Sequence, residues 1–176
     1  MKYNTKKLTL TALFAAIALI IFIIEAQIPL SFSVPGLKLG LANIVTLLIL
    51  FLGGSWKARD AFLVLLVRVL LAAFITGNTM SFAFSFAGGL LALGVMLAVK
   101  MALKDEAIPV VSVAGALAHN AGQIAMAALY MQSTSVFAYF PALIAGGIIS
   151  GLFTGFAVYY LFKKHPKFIG FIGGKK

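Results

Sequence analysis

The chain has 176 residues, of which 62% are hydrophobic and only 10% are charged, and its mean hydropathy is +1.10. A soluble domain is closer to half apolar and a quarter charged, so this composition indicates an integral membrane protein. The sequence contains no cysteine, which excludes disulfides, thiolate metal sites and cysteine nucleophiles. A net charge of +10 would suit a protein that binds nucleic acid. The basic residues, however, lie at the ends of apolar runs, where the residues that set the orientation of membrane helices are found.

Six apolar segments separated by turn signals run along the chain. The predicted helices are 8–28, 39–52, 58–76, 82–103, 109–131 and 138–162, and they form a single domain over residues 1–176. The second helix is short for a full span, which predicts that it begins inside the membrane. The sequence therefore predicts an all-α integral membrane protein, with six transmembrane helices in one bundle.

The basic residues are distributed unevenly over the ends of these helices. Six crossings would place both termini on the same side of the membrane. That side would hold twelve of the fourteen cations, namely Lys2, Lys6, Lys7, Lys57, Arg59, Lys100, Lys104, Lys163, Lys164, Lys167, Lys175 and Lys176. The opposite loops would hold only Lys38, and Arg68 lies within the third helix. By the positive-inside rule, this bias predicts a plasma-membrane protein with both termini in the cytoplasm.

The connection between the first two helices, residues 34–43, reads VPGLKLGLAN. Its proline and glycines favour a turned loop folded into the bundle. Lys38 is the only charge between Glu25 and Lys57, and Asn43 lies a turn inside the next apolar run. Two interpretations are open: a plain turn with a snorkelling lysine, or a loop that brings Lys38 and Asn43 to a binding site.

Other polar residues fall within the predicted helices, where their burial in lipid is costly and makes them functional candidates. Helix lengths place Arg68 and His119 near the midplane and the others toward the outer half. Together they occupy one depth band, which predicts a solute pocket open to the outside. The candidate binding residues are Glu25, Lys38, Asn43, Arg68, His119, Asn120 and Gln123.

Structural interpretations of the same residues stay open. Arg68 could pair with a carboxylate or bind loose backbone carbonyls, and His119 with Asn120 could join helices by hydrogen bonds. Glu25 is better explained as a rim partner of a nearby cation than as a catalytic acid, because no second carboxylate lies near it. No metal site is predicted at His119, since the other histidine, His165, lies in the tail.

The chain also lacks two motifs of catalytic proteins. It contains neither the GxxxxGK[ST] phosphate loop of ATPases nor the paired aspartates that bind magnesium diphosphate in prenyl transferases. We therefore expect no enzymatic activity and no cofactor.

Several of these features resemble one family over nearly the whole chain. They are the PGLKLGLAN run at 35–43, the alanine-rich start of the first helix, Arg68 in the third helix and His119-Asn120 in the fifth. They resemble the Gx transporter family, whose members often carry the name heptaprenyl diphosphate synthase component I. That family is in turn similar to the S components of energy-coupling factor (ECF) transporters, six-helix membrane proteins that bind a vitamin-like solute from outside.

This resemblance implies a function and partners. S components dock through small residues of the first helix onto a membrane coupling protein driven by two ATPase subunits. The residues that match this docking face in kind are Ala12, Ala15, Ala16 and Ala18. The implied function is a substrate-binding transporter subunit. The alternative is a non-catalytic membrane subunit, component I, associated with a soluble prenyl transferase in heptaprenyl diphosphate and isoprenoid-quinone metabolism.

The charge of the predicted pocket indicates its solute. Lys38, Arg68 and a protonated His119 would outweigh Glu25, which favours a small anionic solute. An aromatic wall near the outer end, which would suit an amphipathic ligand, is predicted from Phe32, Phe74 and Phe82.

Overall fold

The computed structural model describes residues 5–27, 38–103 and 107–174, and these ranges are helical without any β-strand. The α-helices are α1 (Thr5–Ala26), α2 (Asn43–Leu52), α3 (Ala58–Thr76), α4 (Thr79–Leu103), α5 (Ile108–Met131), α6 (Phe140–Lys164) and α7 (Pro166–Gly173). A 3₁₀ helix (Thr134–Tyr139) precedes α6. Six α-helices thus lie close to their predicted positions. The predicted end of the first helix at residue 28, Phe32 and loop residues 34–37 lie outside the described residues.

Four helical segments are long and apolar enough to cross a membrane: α1, α4, α5, and α6 together with its preceding 3₁₀ helix. The chain is therefore a helical membrane protein, and its described ranges contain four candidate spans where the sequence predicted six. α3 has 19 residues but carries Arg59, Asp60 and Arg68, which reduce its apolar character. α2 has 10 residues, so it is about 15 Å long and covers roughly half of a hydrocarbon core.

The predicted boundaries of α3 are confirmed, and a hydrogen bond explains each end of the helix. At the start, the Lys57 N–H donates to the Asp60 carboxylate at 2.7 Å, so the side chain caps the first turn. At the end, Gly77 adopts a left-handed conformation (φ 62°), and its N–H donates to the Ala73 carbonyl. Both signals are local in sequence.

Glycines let α5 pack closely between α4 and α6. A Cβ built on Gly151 would lie 2.7 Å from the Cα of Val113, and one on Gly155 would lie 2.7 Å from the Cα of Pro109. On the other side of α5, a Cβ on Gly122 would lie 2.8 Å from a backbone carbonyl of α4. Small residues are what allow membrane helices to approach at such distances, so α5 forms the centre of the bundle.

The structure also contains a helix that the sequence analysis missed, α7. Its apolar residues Ile169 and Ile172 are buried in the core. The Trp56 indole N–H donates to the Ile172 carbonyl at 2.9 Å, and the Ser55 N–H to the Gly173 carbonyl at 3.1 Å. α7 is thereby fixed to the turn between α2 and α3. A helix of 8 residues is too short for its apolar periodicity to be recognised within a basic tail.

Candidate functional site

Residues 38–41, called the lead-in segment below, lie inside the bundle just before α2. Glu25, in the last turn of α1 and only 2% exposed, accepts two hydrogen bonds from this segment. One carboxylate oxygen lies 2.6 Å from Gly40 N and the other 3.0 Å from Leu41 N. These N–H groups lead into the N-terminus of α2, where the helix dipole favours an anion. Glu25 therefore stabilises the start of α2.

Two further helices hold the lead-in segment. The Gln123 side-chain oxygen on α5 accepts a hydrogen bond from the Lys38 N–H at 3.0 Å. The Ser150 hydroxyl on α6 donates to the Leu39 carbonyl at 3.4 Å. α1, α5 and α6 thus each bind the backbone of this non-helical stretch. Such hydrogen bonds are what irregular backbone requires at membrane depth.

His119 lies between two glycines. Gly40 of the lead-in segment has φ +79°, and a Cβ built on it would lie 2.6 Å from His119 Cδ2. A Cβ built on Gly88 of α4 would lie 2.9 Å from His119 Nδ1. At Gly40 both the backbone conformation and the space require glycine. The lead-in segment therefore packs against the imidazole of His119.

The hydrogen bonds around His119 define its protonation. Its Nε2 lies 2.8 Å from Gln123 Nε2. Because the Gln123 oxygen already accepts from Lys38, the amide nitrogen must face the ring, and it can only donate. This arrangement assigns His119 Nε2 as an acceptor and the imidazole as neutral, with its proton on Nδ1, which has no hydrogen-bond partner among the described residues. This corrects the expectation of a protonated His119.

Two cations of the predicted site lie against one aromatic ring, that of Phe22. Lys38 Nζ is 3.3 Å from the ring centroid, and Arg68 Cζ is 5.6 Å from it. Both distances fall within the range of cation–π attraction. Arg68 is only 3% exposed. Phe22 was not predicted as a site residue, although its spacing of three from Glu25 places both on one face of α1.

Glu25 does not pair directly with these cations. In the part of the chain that the structure describes, the single salt bridge joins Lys7 to Asp60. Glu25 interacts with Lys38 and Arg68 only through space, since its oxygens bond to backbone amides. The expectation of Glu25 as their rim partner is therefore corrected: the carboxylate binds the backbone that leads into α2, and neither cation has a carboxylate in contact among the described residues.

The two asparagines have different environments. Asn120 is fully buried, and its side-chain nitrogen donates to the Leu143 carbonyl of α6 at 2.6 Å. Asn120 therefore joins α5 to α6 by a hydrogen bond, in agreement with the structural interpretation of this residue. Asn43 is the first residue of α2, and its buried side-chain nitrogen has no hydrogen-bond partner among the described residues.

The two described residues of the predicted aromatic wall, Phe74 and Phe82, do not line this site, and Phe32 lies outside the described residues. Phe74 is 88% exposed on the surface of α3. Phe82 stacks on Phe86 of its own helix, with ring centroids 6.0 Å apart. The aromatic surface next to the cations is provided by Phe22 instead.

The four alanines of the predicted docking face do not share one surface. Ala15 and Ala18 are buried inside the bundle, whereas Ala12 and Ala16 are exposed. A spacing of four keeps Ala12 and Ala16 on one face of α1, and the other two lie on the face turned to the core. Buried Ala15 and Ala18 therefore cannot belong to an exposed docking face, and of the predicted set only Ala12 and Ala16 are accessible.

The comparison with protein families gives a match over most of the chain. The family model described as heptaprenyl diphosphate synthase component I matches residues 14–161. This range includes the lead-in segment and all seven candidate binding residues. No curated protein and no solved structure matches the chain significantly.

Proposed function

The chain belongs to the heptaprenyl diphosphate synthase component I family, and we propose that it is a membrane subunit that binds a small anionic or amphipathic solute beside the lead-in segment. The carrying observation is that Lys38 and Arg68 lie against Phe22 without a carboxylate in contact among the described residues. A buried cation is costly in a membrane unless a partner compensates it, so an anion here would be stabilised.

We further propose that this subunit is S-component-like and serves a transporter. α2 spans half of a bilayer, which supports access to the lead-in segment from one side. The chain has no phosphate loop of its own, so transport would depend on partner proteins. The proposed partners are a membrane coupling protein and two ATPase subunits.

The Arg68 variants test the binding role. Arg68→Leu should weaken binding of the anion that native mass spectrometry finds on the wild-type protein, by about 2–5 kcal/mol. Arg68→Lys should restore binding only in part, because lysine lacks the planar guanidinium. Binding is measured by titration, and unfolding by thermal shift on the same preparation. Lys164→Leu, which removes an exposed cation in the last turn of α6, is the control. A leucine variant at position 68 that unfolds early yet binds normally would refute the proposal.

The docking face gives a second test. Ala16→Leu changes an exposed residue, so we expect normal thermal stability but loss of co-purifying partner subunits. Ala15→Leu changes a buried residue and should destabilise the fold by about 1–3 kcal/mol through overpacking. Full partner assembly and solute uptake by Ala16→Leu would show that this face of α1 is not the docking face.

The family name favours a second candidate function. It describes component I of heptaprenyl diphosphate synthase, which supports a non-catalytic membrane subunit bound to a soluble prenyl transferase. Affinity purification from native membranes separates the two candidates. ATPases with a membrane coupling protein would support the transporter, and a prenyl transferase would support the synthase subunit.

We also propose six spans in the plasma membrane with both termini in the cytoplasm. The contacts of Lys6 with α7 and of Lys7 with the α2–α3 turn, which gather basic residues at one end, support this orientation. Single cysteines at Ser133 and Lys167 can be treated with an impermeant thiol reagent on intact cells. We expect labelling at position 133 alone, and labelling at position 167 alone would overturn the orientation.

A further inference from the structure

Three charged residues stand apart in the sequence from all the others. Apart from Glu25, Lys38 and Arg68, every charged residue of the chain falls within 1–7, 57–60, 100–106 or 163–176. Those ranges flank the start of α1, the turn between α2 and α3, the end of α4 and the end of α6, whereas the lead-in segment lies between the end of α1 and the start of α2. The formal charge of the candidate site can therefore be counted from three side chains.

These three side chains leave one positive charge in excess. Lys38 and Arg68 lie against the ring of Phe22, and Glu25 acts on both of them through space. The ring and the backbone N–H groups that Glu25 binds stabilise the ions but carry no net charge, so these contacts do not change the count. The imidazole of His119 is neutral and adds nothing. Two cations and one carboxylate remain.

The surroundings of this charge are apolar. Phe22 packs with Ala42 and Ala72 in one buried cluster, and each of these residues is at most 3% exposed. Little water is therefore present to stabilise an excess charge, which is costly at membrane depth. Asn43, which follows Ala42, has a buried side-chain nitrogen without a partner among the described residues, and this amide can donate to a solute without changing the charge. The site is thus suited to a solute with one negative charge.

We propose that the solute is a monovalent carboxylate, an inference that rests on the proposed anion site. One carboxylate would bring the site to neutrality. A phosphate monoester carries about two negative charges and a diphosphate more, so either would leave an excess of negative charge in apolar surroundings. The guanidinium of Arg68 is a planar fork of donors, a geometry that matches the two oxygens of a carboxylate. A diphosphate of the kind in the family's description would therefore not be the solute.

Three probes that share a phenyl group test this charge at pH 8. Benzoate carries one negative charge, phenyl phosphate about two, and benzamide none. Binding to the full chain in a nonionic detergent is measured by thermal-shift titration. The wild-type protein should bind benzoate at least about tenfold more tightly than either of the other probes, because only benzoate neutralises the site.

A matched pair of variants separates charge from shape. Glu25→Gln removes the carboxylate and leaves two positive charges in excess, so the ratio of affinities should shift toward phenyl phosphate by about tenfold or more. A distortion of the lead-in segment would weaken both probes and leave their ratio unchanged. Asp60→Asn makes the same change of charge beside Lys7, at the other end of the bundle, and should shift the ratio by less than about twofold.

The outcomes distinguish this inference from the proposed anion site. Phenyl phosphate that binds the wild-type protein as tightly as benzoate or more so, and loses binding in Arg68→Leu, would overturn the carboxylate and retain the anion site. An equal shift of the ratio in Glu25→Gln and Asp60→Asn would also overturn the carboxylate. If Arg68→Leu alters the binding of no probe and of no retained solute, both proposals are wrong. Should Glu25→Gln fail to fold, the wild-type ratio decides, together with native mass spectrometry: a retained solute with two or more acidic groups would contradict the assignment.

Discussion

The two ends of the bundle differ in their acidic residues: Asp60 and Glu25 both accept from backbone N–H groups, but only Asp60 also pairs with a cation. At the end formed by α7, Lys6, Lys7 and the α2–α3 turn, called the basic end here, Asp60 pairs directly with Lys7 at 2.7 Å. At the lead-in segment, Glu25 binds two backbone N–H groups and leaves Lys38 and Arg68 to the ring of Phe22. The basic end thus neutralises one cation within the chain, whereas the lead-in segment keeps two cations without a carboxylate in contact among the described residues.

This difference shows that a buried acid near two cations is not necessarily their counterion. The backbone N–H groups before α2 have no helical partners, and an unsatisfied buried donor is costly in lipid. Glu25 bonds to these N–H groups and not to the cations, because it alone among the described acids lies next to them. By bonding to the backbone, the Glu25 carboxylate stabilises the fold and leaves Lys38 and Arg68 without a carboxylate in contact among the described residues.

The largest expected effect comes from the packing of the lead-in segment on His119. Gly40→Ala adds a methyl group into the imidazole at a left-handed backbone position, and we expect it to lower the free energy of unfolding by about 2–4 kcal/mol. Gly77→Ala is the matched control, since Gly77 also has positive φ (62°) but nothing lies within 4 Å of its added Cβ. The control should cost about 1 kcal/mol. Thermal or denaturant unfolding in detergent measures both, and equal costs would show that the lead-in segment is not packed on His119.

A smaller loss of stability is expected when the carboxylates of Glu25 and Asp60 are replaced by amides, and it should differ between the two residues. Glu25→Gln leaves one acceptor oxygen for two N–H groups and sets an amide against the second, which should cost about 1–3 kcal/mol. Asp60→Asn should cost about 1 kcal/mol or less, because a single Asp60 oxygen accepts both bonds and the other has no partner among the described residues. The same unfolding measurement compares them. A larger loss for Asp60→Asn would contradict the distinct roles assigned to the two ends.

Much of the fold could be predicted because its signals are local. The boundaries of α3 follow from the Asp60 cap and from Gly77, and the short α2 follows from the length of its apolar run. Five candidate residues lie close together: Glu25, His119 and Gln123 contact the lead-in segment, Lys38 belongs to it, and Arg68 shares the ring of Phe22 with Lys38. Hydropathy and helix length set depth in a bilayer, so residues of similar depth are placed at one level without knowledge of their partners.

The sequence by itself determined the helical membrane class and most helix positions. The tertiary structure decided which group each polar side chain meets. Gln123 reaches the Lys38 N–H across 85 residues, and the Asn120 side-chain nitrogen donates to the Leu143 carbonyl of α6. It also decided that Ala15 is buried while Ala16 is exposed. The physical reason is that periodicity places a residue on a helix face, whereas the rotation of that face and its partner depend on close packing between helices distant in sequence.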